Sequence, residues 1–82
     1  SPILRIGWIP FLRNILIASG NSRIQSLSCI IEKYLTHKEP LVRGTAVWSI
    51  NKLYNFKKTE LFHKLKTMEK NEYVKFELNC LD

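Results

Sequence analysis

The sequence predicts an all-α fold, a right-handed α-solenoid of HEAT-like repeats with about five helices, and three observations predict it. Apolar residues recur at helical spacing in five segments. No segment alternates apolar and polar residues between turn signals, as a half-buried strand would. A helix opening also recurs. Pro10-Phe11-Leu12-Arg13-Asn14-Ile15-Leu16 is followed thirty residues on by Pro40-Leu41-Val42-Arg43-Gly44-Thr45-Ala46, and thirty-two further on by Glu72-Tyr73-Val74-Lys75-Phe76-Glu77-Leu78. Each copy has an apolar residue, then a cation, then an apolar residue four places after the first. Such a period, with one helix between copies, marks a helical solenoid, whose units cannot bury their apolar faces alone and so stack.

The first helix is expected over 10–19, with Phe11, Leu12, Ile15, Leu16 and Ser19 in phase. Pro10 suits a first turn, where its missing N–H would have no partner anyway. Gly20-Asn21 offers a left-handed stop. The second helix is expected over 23–35, opened by a Ser22/Gln25 capping box and striped by Ile24, Leu27, Ile31, Tyr34 and Leu35. The third opens at Pro40 and runs to Tyr54, with Val42, Ala46, Ser49, Ile50 and Leu53 inward and Leu41 and Trp48 on its flanks; helical spacing makes Trp48 core. The fourth covers 60–69 behind a Thr59 cap, with Leu61, Phe62, Leu65 and Met68 inside. The fifth covers 72–81 behind Asn71, with Val74, Leu78 and Leu81 aligned. Gly44 costs up to about 1 kcal/mol against Ala inside a helix. Another backbone, or a ligand, is therefore expected close to it.

With 82 residues, 45% of them hydrophobic, the chain has the material for one domain, 1–82, with one small core. It contains no apolar run long enough to span a membrane and no secretory signal at its start, and it reads as a C-terminal piece of a longer, cytoplasmic protein. Thirteen Lys and Arg against seven Asp and Glu give a net charge of +6, which favours a polyanionic partner. Cys29 and Cys80 lie far apart inside apolar patterns. They are expected as buried free thiols in a reducing compartment, and without CxxC spacing they make no zinc or cluster site. His37 and His63 have no ligand partners at metal spacing and read as solvent-exposed. There is no Ser/His/Asp set, no phosphate-binding loop and no carboxylate pair suited to acid–base work, so no residue is assigned to catalysis or to a metal.

Two readings stay open for the repeated cations Arg13, Arg43 and Lys75. A cation at a helix start opposes the helix dipole. Either each pairs with an acid of the next unit, such as Glu39 or Glu72, in a structural ladder, or the three contact phosphates along a backbone. Lys57, Lys58, Lys64, Lys66 and Lys70 crowd one window holding only Glu60 and Glu69 as acids. That run is either a solvated face or a diffuse phosphate-attracting patch. Trp8, Trp48 and Tyr34 could offer stacking platforms for bases.

The stretch Ser1-Pro2-Ile3-Leu4-Arg5-Ile6-Gly7, then Phe11-Leu12-Arg13-Asn14-Ile15-Leu16-Ile17-Ala18 and Gly20-Asn21-Ser22, resembles the C-terminal region of bacterial epoxyqueuosine reductase. Pro40-Leu41-Val42-Arg43-Gly44, with Ala46 and Trp48, is similar to the same region. The resemblance covers residues 1–54 well and the last two helices only loosely. Arg-Asn followed by Gly-Asn-Ser is its specific part. That family reduces epoxyqueuosine to queuosine in tRNA, with cobalamin and 4Fe-4S clusters held by an upstream catalytic region. No cluster cysteine or catalytic acid of that region occurs in this chain. The resemblance implies a C-terminal helical-repeat module that covers the catalytic region and helps hold tRNA. The repeated cations and the lysine run make Arg13, Arg43, Lys75, Lys57, Lys58 and Lys64 the expected tRNA contacts, and Asn14, Gly20 and Asn21, in the part specific to the family, are expected to pack on the catalytic region. The chain itself is expected to be a monomer and to bind no cofactor. Two other classes are compatible with the residues: a generic HEAT-like protein scaffold, and a helical-repeat DNA glycosylase of the alkylpurine type. The latter needs an aromatic pocket with an acid.

Overall fold

The helical periodicity becomes five α-helices in the computed structural model, which describes residues 2–81 and the side chains of 8–81: α1 (Pro2–Asn21), α2 (Ser28–Glu32), α3 (Pro40–Leu53), α4 (Glu60–Met68) and α5 (Glu72–Asn79). Two 3₁₀ turns, Gln25–Leu27 and Phe56–Lys58, precede α2 and α4. No strand occurs among the described residues.

α3 is the centre. It packs against α1 on one side and α5 on the other, and α2 also rests on it. Its expected inward residues Val42, Ala46, Ser49, Ile50 and Leu53 are all buried. The hydroxyl of Ser49, fully buried, donates to the Leu16 carbonyl at 2.7 Å, so the contact with α1 leaves no orphaned polar atom there. One turn earlier Arg13 Nε donates to Thr45 Oγ1 at 3.0 Å, while the Thr45 hydroxyl donates back to the Leu41 carbonyl. Residues 13 and 16 thus meet 45 and 49 in the same order, so α1 and α3 run parallel. On the other side Tyr73 seats at Gly44, and Glu77 shares a cleft with Trp48, so α5 is parallel to α3 as well.

Several expectations at the chain's turns are corrected. The first helix is longer than its apolar pattern. It starts at Pro2, so Pro10 lies inside it and removes one i→i−4 hydrogen bond instead of opening it. Gly20 is helical, not a left-handed stop; it is buried where α1 crosses Ser49, and a Cβ there would stand 2.8 Å from the Ser49 Cα. The left-handed residue is Arg23, with φ 63°. Ser22 makes no capping box: its Oγ accepts from Ile24 N–H and donates to the Ser19 carbonyl, and Gln25 reaches across to the Leu53 carbonyl. The second helix shrinks to one short α segment after a 3₁₀ turn, which leaves Ile24 exposed. At Gly44 the approaching group is the Tyr73 ring, a side chain and not a backbone, and any Cβ would overlap it.

The caps of the last two helices match expectation. Thr59 Oγ1 accepts from Phe62 N–H at 3.1 Å, and Asn71 Oδ1 from Tyr73 and Val74 N–H. Met68, expected inside, is exposed, and the core beneath α4 is instead completed by Phe56, fully buried edge-on to Phe62 at 5.7 Å between ring centroids.

Gly20→Ala tests the α1–α3 contact. Alanine gains up to about 1 kcal/mol of helix propensity. Its methyl group meets backbone, which cannot rotate away, so overpacking outweighs the gain. The expected net loss is about 1–2 kcal/mol in chemical denaturation, and a variant as stable as the wild type would contradict the close approach.

Candidate nucleic-acid interface

The three repeated cations occupy three different environments. Arg13 is no longer at a helix start, because α1 begins at Pro2; its Nε–H is taken by Thr45, a hydroxyl and not the acid of the next unit. Arg43 is a clamp. Its Nε and Nη2 grip both oxygens of Glu69 at 3.0 and 2.9 Å, and its Nη1 donates to the carbonyls of His37 and Lys38. The partner is therefore Glu69, in the turn before α5, and not Glu39 or Glu72. Lys75 lies 3.7 Å from Glu72 on its own helix, in an exposed pair of the kind worth little in water.

Glu69 is the other half of the clamp. Burial alone would raise its carboxyl, but the Arg43 fork and the N–H groups of Asn71 and Lys70 more than offset this and hold it below the usual carboxylate range. The pair fixes the loop before α3 to the turn before α5.

Lys57, Lys58 and Lys64 are exposed, as are Asn14 and Asn21, while Gly20 is turned inward onto α3 and serves the chain's own packing. Lys57 lines a groove of about 480 Å³ with Asn51, Lys52, Leu53, Tyr54, Asn55, Cys80 and Leu81. Lys52 was not singled out by the sequence pattern, since a lone Lys in the last turn of a helix usually complements the dipole. Its Nζ sits 4.8 Å from the centroid of the Trp48 ring. Tyr54, which also lines the groove, has its hydroxyl pushed up by burial and by the nearby Glu32 and Cys29.

A smaller cleft, about 200 Å³, opens where α1, α3 and α5 meet, lined by Arg13, Ile17, Thr45, Trp48, Tyr73 and Glu77. Burial raises the Glu77 carboxyl. Trp48 is half-buried on this wall and not in the core, and Trp8 is 51% exposed. Both cysteines are exposed, contrary to expectation: α2 is too short to bury position 29, and Cys80 follows the end of α5. His63 is exposed, but His37 is half-buried, and its Nδ1 accepts from the Glu39 N–H. Among the described residues no group of three His, Cys, Asp or Glu could hold a metal, and no helix is long and apolar enough to cross a membrane.

The clamp predicts an acid-sensitive term. Glu69 is more acidic folded than unfolded, so the unfolded state binds the proton first as pH falls. Its stabilisation is present above the unfolded value of about 4.3 and is lost as pH drops through the lower folded value. Glu77 works the other way, since its raised folded value favours the folded state at low pH, but it is common to wild type and variant. The stability gap between wild type and Glu69→Gln should therefore be largest near neutrality and close in acid. Arg43→Ala should cost about 2 kcal/mol at pH 7, because it leaves a partly buried carboxylate with only the Lys70 and Asn71 N–H donors. Denaturation series across pH would check both, and a gap independent of pH would refute the clamp. Compared with family models, curated proteins and solved structures, the chain has no match.

Proposed function

We propose that this chain is a non-catalytic HEAT-like solenoid module that attracts tRNA through a basic groove and packs on a catalytic region, the role of the C-terminal region of the epoxyqueuosine reductases it resembles. The observation that carries this reading is the groove where Lys57 of the second 3₁₀ turn stands with Lys52, Asn51 and Asn55 at the end of α3. Exposed lysines beside amide groups contact phosphate without reading sequence. Lys58 and Lys64 extend the charge beyond it. Arg43 contributes by holding the module together, with its donors spent on Glu69 and two carbonyls. The parallel order of α1, α3 and α5 supports the solenoid, and its right-handed course belongs to the proposal. Cobalamin and the iron–sulfur clusters belong to the catalytic region of that family.

A second reading has one observation in its favour. The cleft that joins Trp48, Tyr73 and Glu77 supplies the aromatic walls and acid that a helical-repeat glycosylase needs. Release of a base from alkylated DNA by the chain alone would favour it.

The tRNA reading is tested by affinity against salt. Non-specific binding of about 10⁻⁴–10⁻⁶ M is expected at physiological salt. Lys52→Ala with Lys57→Ala should weaken binding to all tRNAs alike and lower the slope of log affinity on log salt by about 1 per lost contact. Circular dichroism should show unchanged helicity. Absence of RNA binding at low salt would move the chain to the protein-scaffold class.

A further inference from the structure

We propose that the cleft where α1, α3 and α5 meet binds one unpaired guanine base, with Glu77 accepting from its N1–H and N2 amino group and the Arg13 guanidinium donating to its O6 and N7. That the base belongs to RNA rests on the reading above; the site itself is argued from the cleft.

Its two charged residues are not matched to each other. Arg13 spends its Nε–H on Thr45, and its two Nη groups make no hydrogen bond or ion pair among the described residues. The Glu77 carboxylate has no partner among them either. Burial raises it, and no neighbouring cation or N–H offsets this. Arg43 and Glu69, also half-buried, close into a two-bond fork. Arg13 and Glu77 line one cleft of about 200 Å³ and form no such bridge. A half-buried carboxylate without a donor costs stability that nothing in the chain returns, and such groups collect at functional sites. A ligand that fits must bring donors to the carboxylate and acceptors to the guanidinium.

The rest of the lining selects a planar ligand joined to phosphate. Trp48 and Tyr73 both line the cleft. The Tyr73 ring is seated on Gly44, so its place is set by the fold. Aromatic side chains of this kind hold single-stranded bases by stacking. Trp48 also joins the cleft to the larger groove, because Lys52, held 4.8 Å from its ring centroid, lines that groove with Lys57. A base in the cleft therefore lies one indole ring away from the lysines that attract phosphate. This favours a nucleotide over an amino acid or another small zwitterion.

Among the four RNA bases only guanine satisfies both charges. A carboxylate accepts two donors side by side. Guanine presents two such donors, N1–H and the N2 amino group, on one edge, and its O6 and N7 accept from arginine. Adenine turns the lone pair of its N1 toward the carboxylate. Uracil flanks its one N–H with two carbonyl oxygens, and cytosine sets an acceptor beside its amino group. The donor edge of guanine is the one that pairs with cytosine in a duplex, so the base must come from a single-stranded segment or a free nucleotide.

The probes are guanosine, inosine and adenosine monophosphates, titrated into the isotope-labelled chain. Saturable shifts are expected at the Trp48 indole N–H and at the amides of Tyr73 and Glu77. The guanosine nucleotide should bind about tenfold more tightly than the adenosine one, with inosine, which lacks the N2 amino group, in between. Glu77→Gln keeps the shape but accepts only one of the two donors, and should remove the preference at unchanged helicity. Lys52→Ala with Lys57→Ala should weaken all three nucleotides alike and keep their order. The proposal is overturned if no saturable shifts occur at these residues, if the guanosine and adenosine nucleotides bind equally well, or if Glu77→Gln keeps the preference. A guanosine preference in a chain that ignores tRNA at low salt would support the cleft and remove the RNA reading. Salt-dependent tRNA binding without that preference would do the reverse.

Discussion

A central helix must be approached closely from both sides by parallel neighbours, and that constraint organises the structure. α3 satisfies it with little bulk at its contacts. Gly20 of α1 lets the two backbones meet at Ser49, and Gly44 of α3 gives the Tyr73 ring a place on the helix itself. At such short range every polar group between the helices needs a partner, and the Ser49 and Thr45 hydroxyls and the Arg13 Nε–H supply them. Outside this layer, the Arg43–Glu69 fork ties the entry of α3 to the entry of α5.

Much of this was legible in the sequence. The inward face of α3 and the caps at Thr59 and Asn71 follow from local rules that act within one turn of chain, and they hold. The failures lie where tertiary contacts decide. Gly20-Asn21 looks like a helix stop because glycine adopts left-handed backbone cheaply, but here the same missing Cβ serves close packing, and the turn passes to Arg23. Phe56, isolated in a polar stretch, carries no periodicity that would mark it as core, yet it is fully buried. The Arg43 position was readable as one rung of a ladder, whereas its partner Glu69 was not, because nothing local links residues 26 apart.

The candidate site divides the same way. Net charge pointed to a polyanion, and Lys57, Lys58 and Lys64 are exposed as a binding face requires. The repeat pattern ranks Arg13 and Arg43 with them, and in the fold the Arg13 Nε–H and the Arg43 guanidinium have partners within the chain. A repeated cation signals a repeated structural need as readily as a repeated ligand contact, and only the acceptors around it separate the two. Lys52 entered through geometry, since the fold alone places it beside Lys57.

Native-state hydrogen exchange tests the central role of α3 most directly. If its close neighbours on both sides hold it in place, the amides of Val47 and Ile50 exchange only by global unfolding and are the slowest in the chain, ahead of those in α2 and α4. Amides of α4 outlasting those of α3, or α3 opening while α1 and α5 stay protected, would contradict the account.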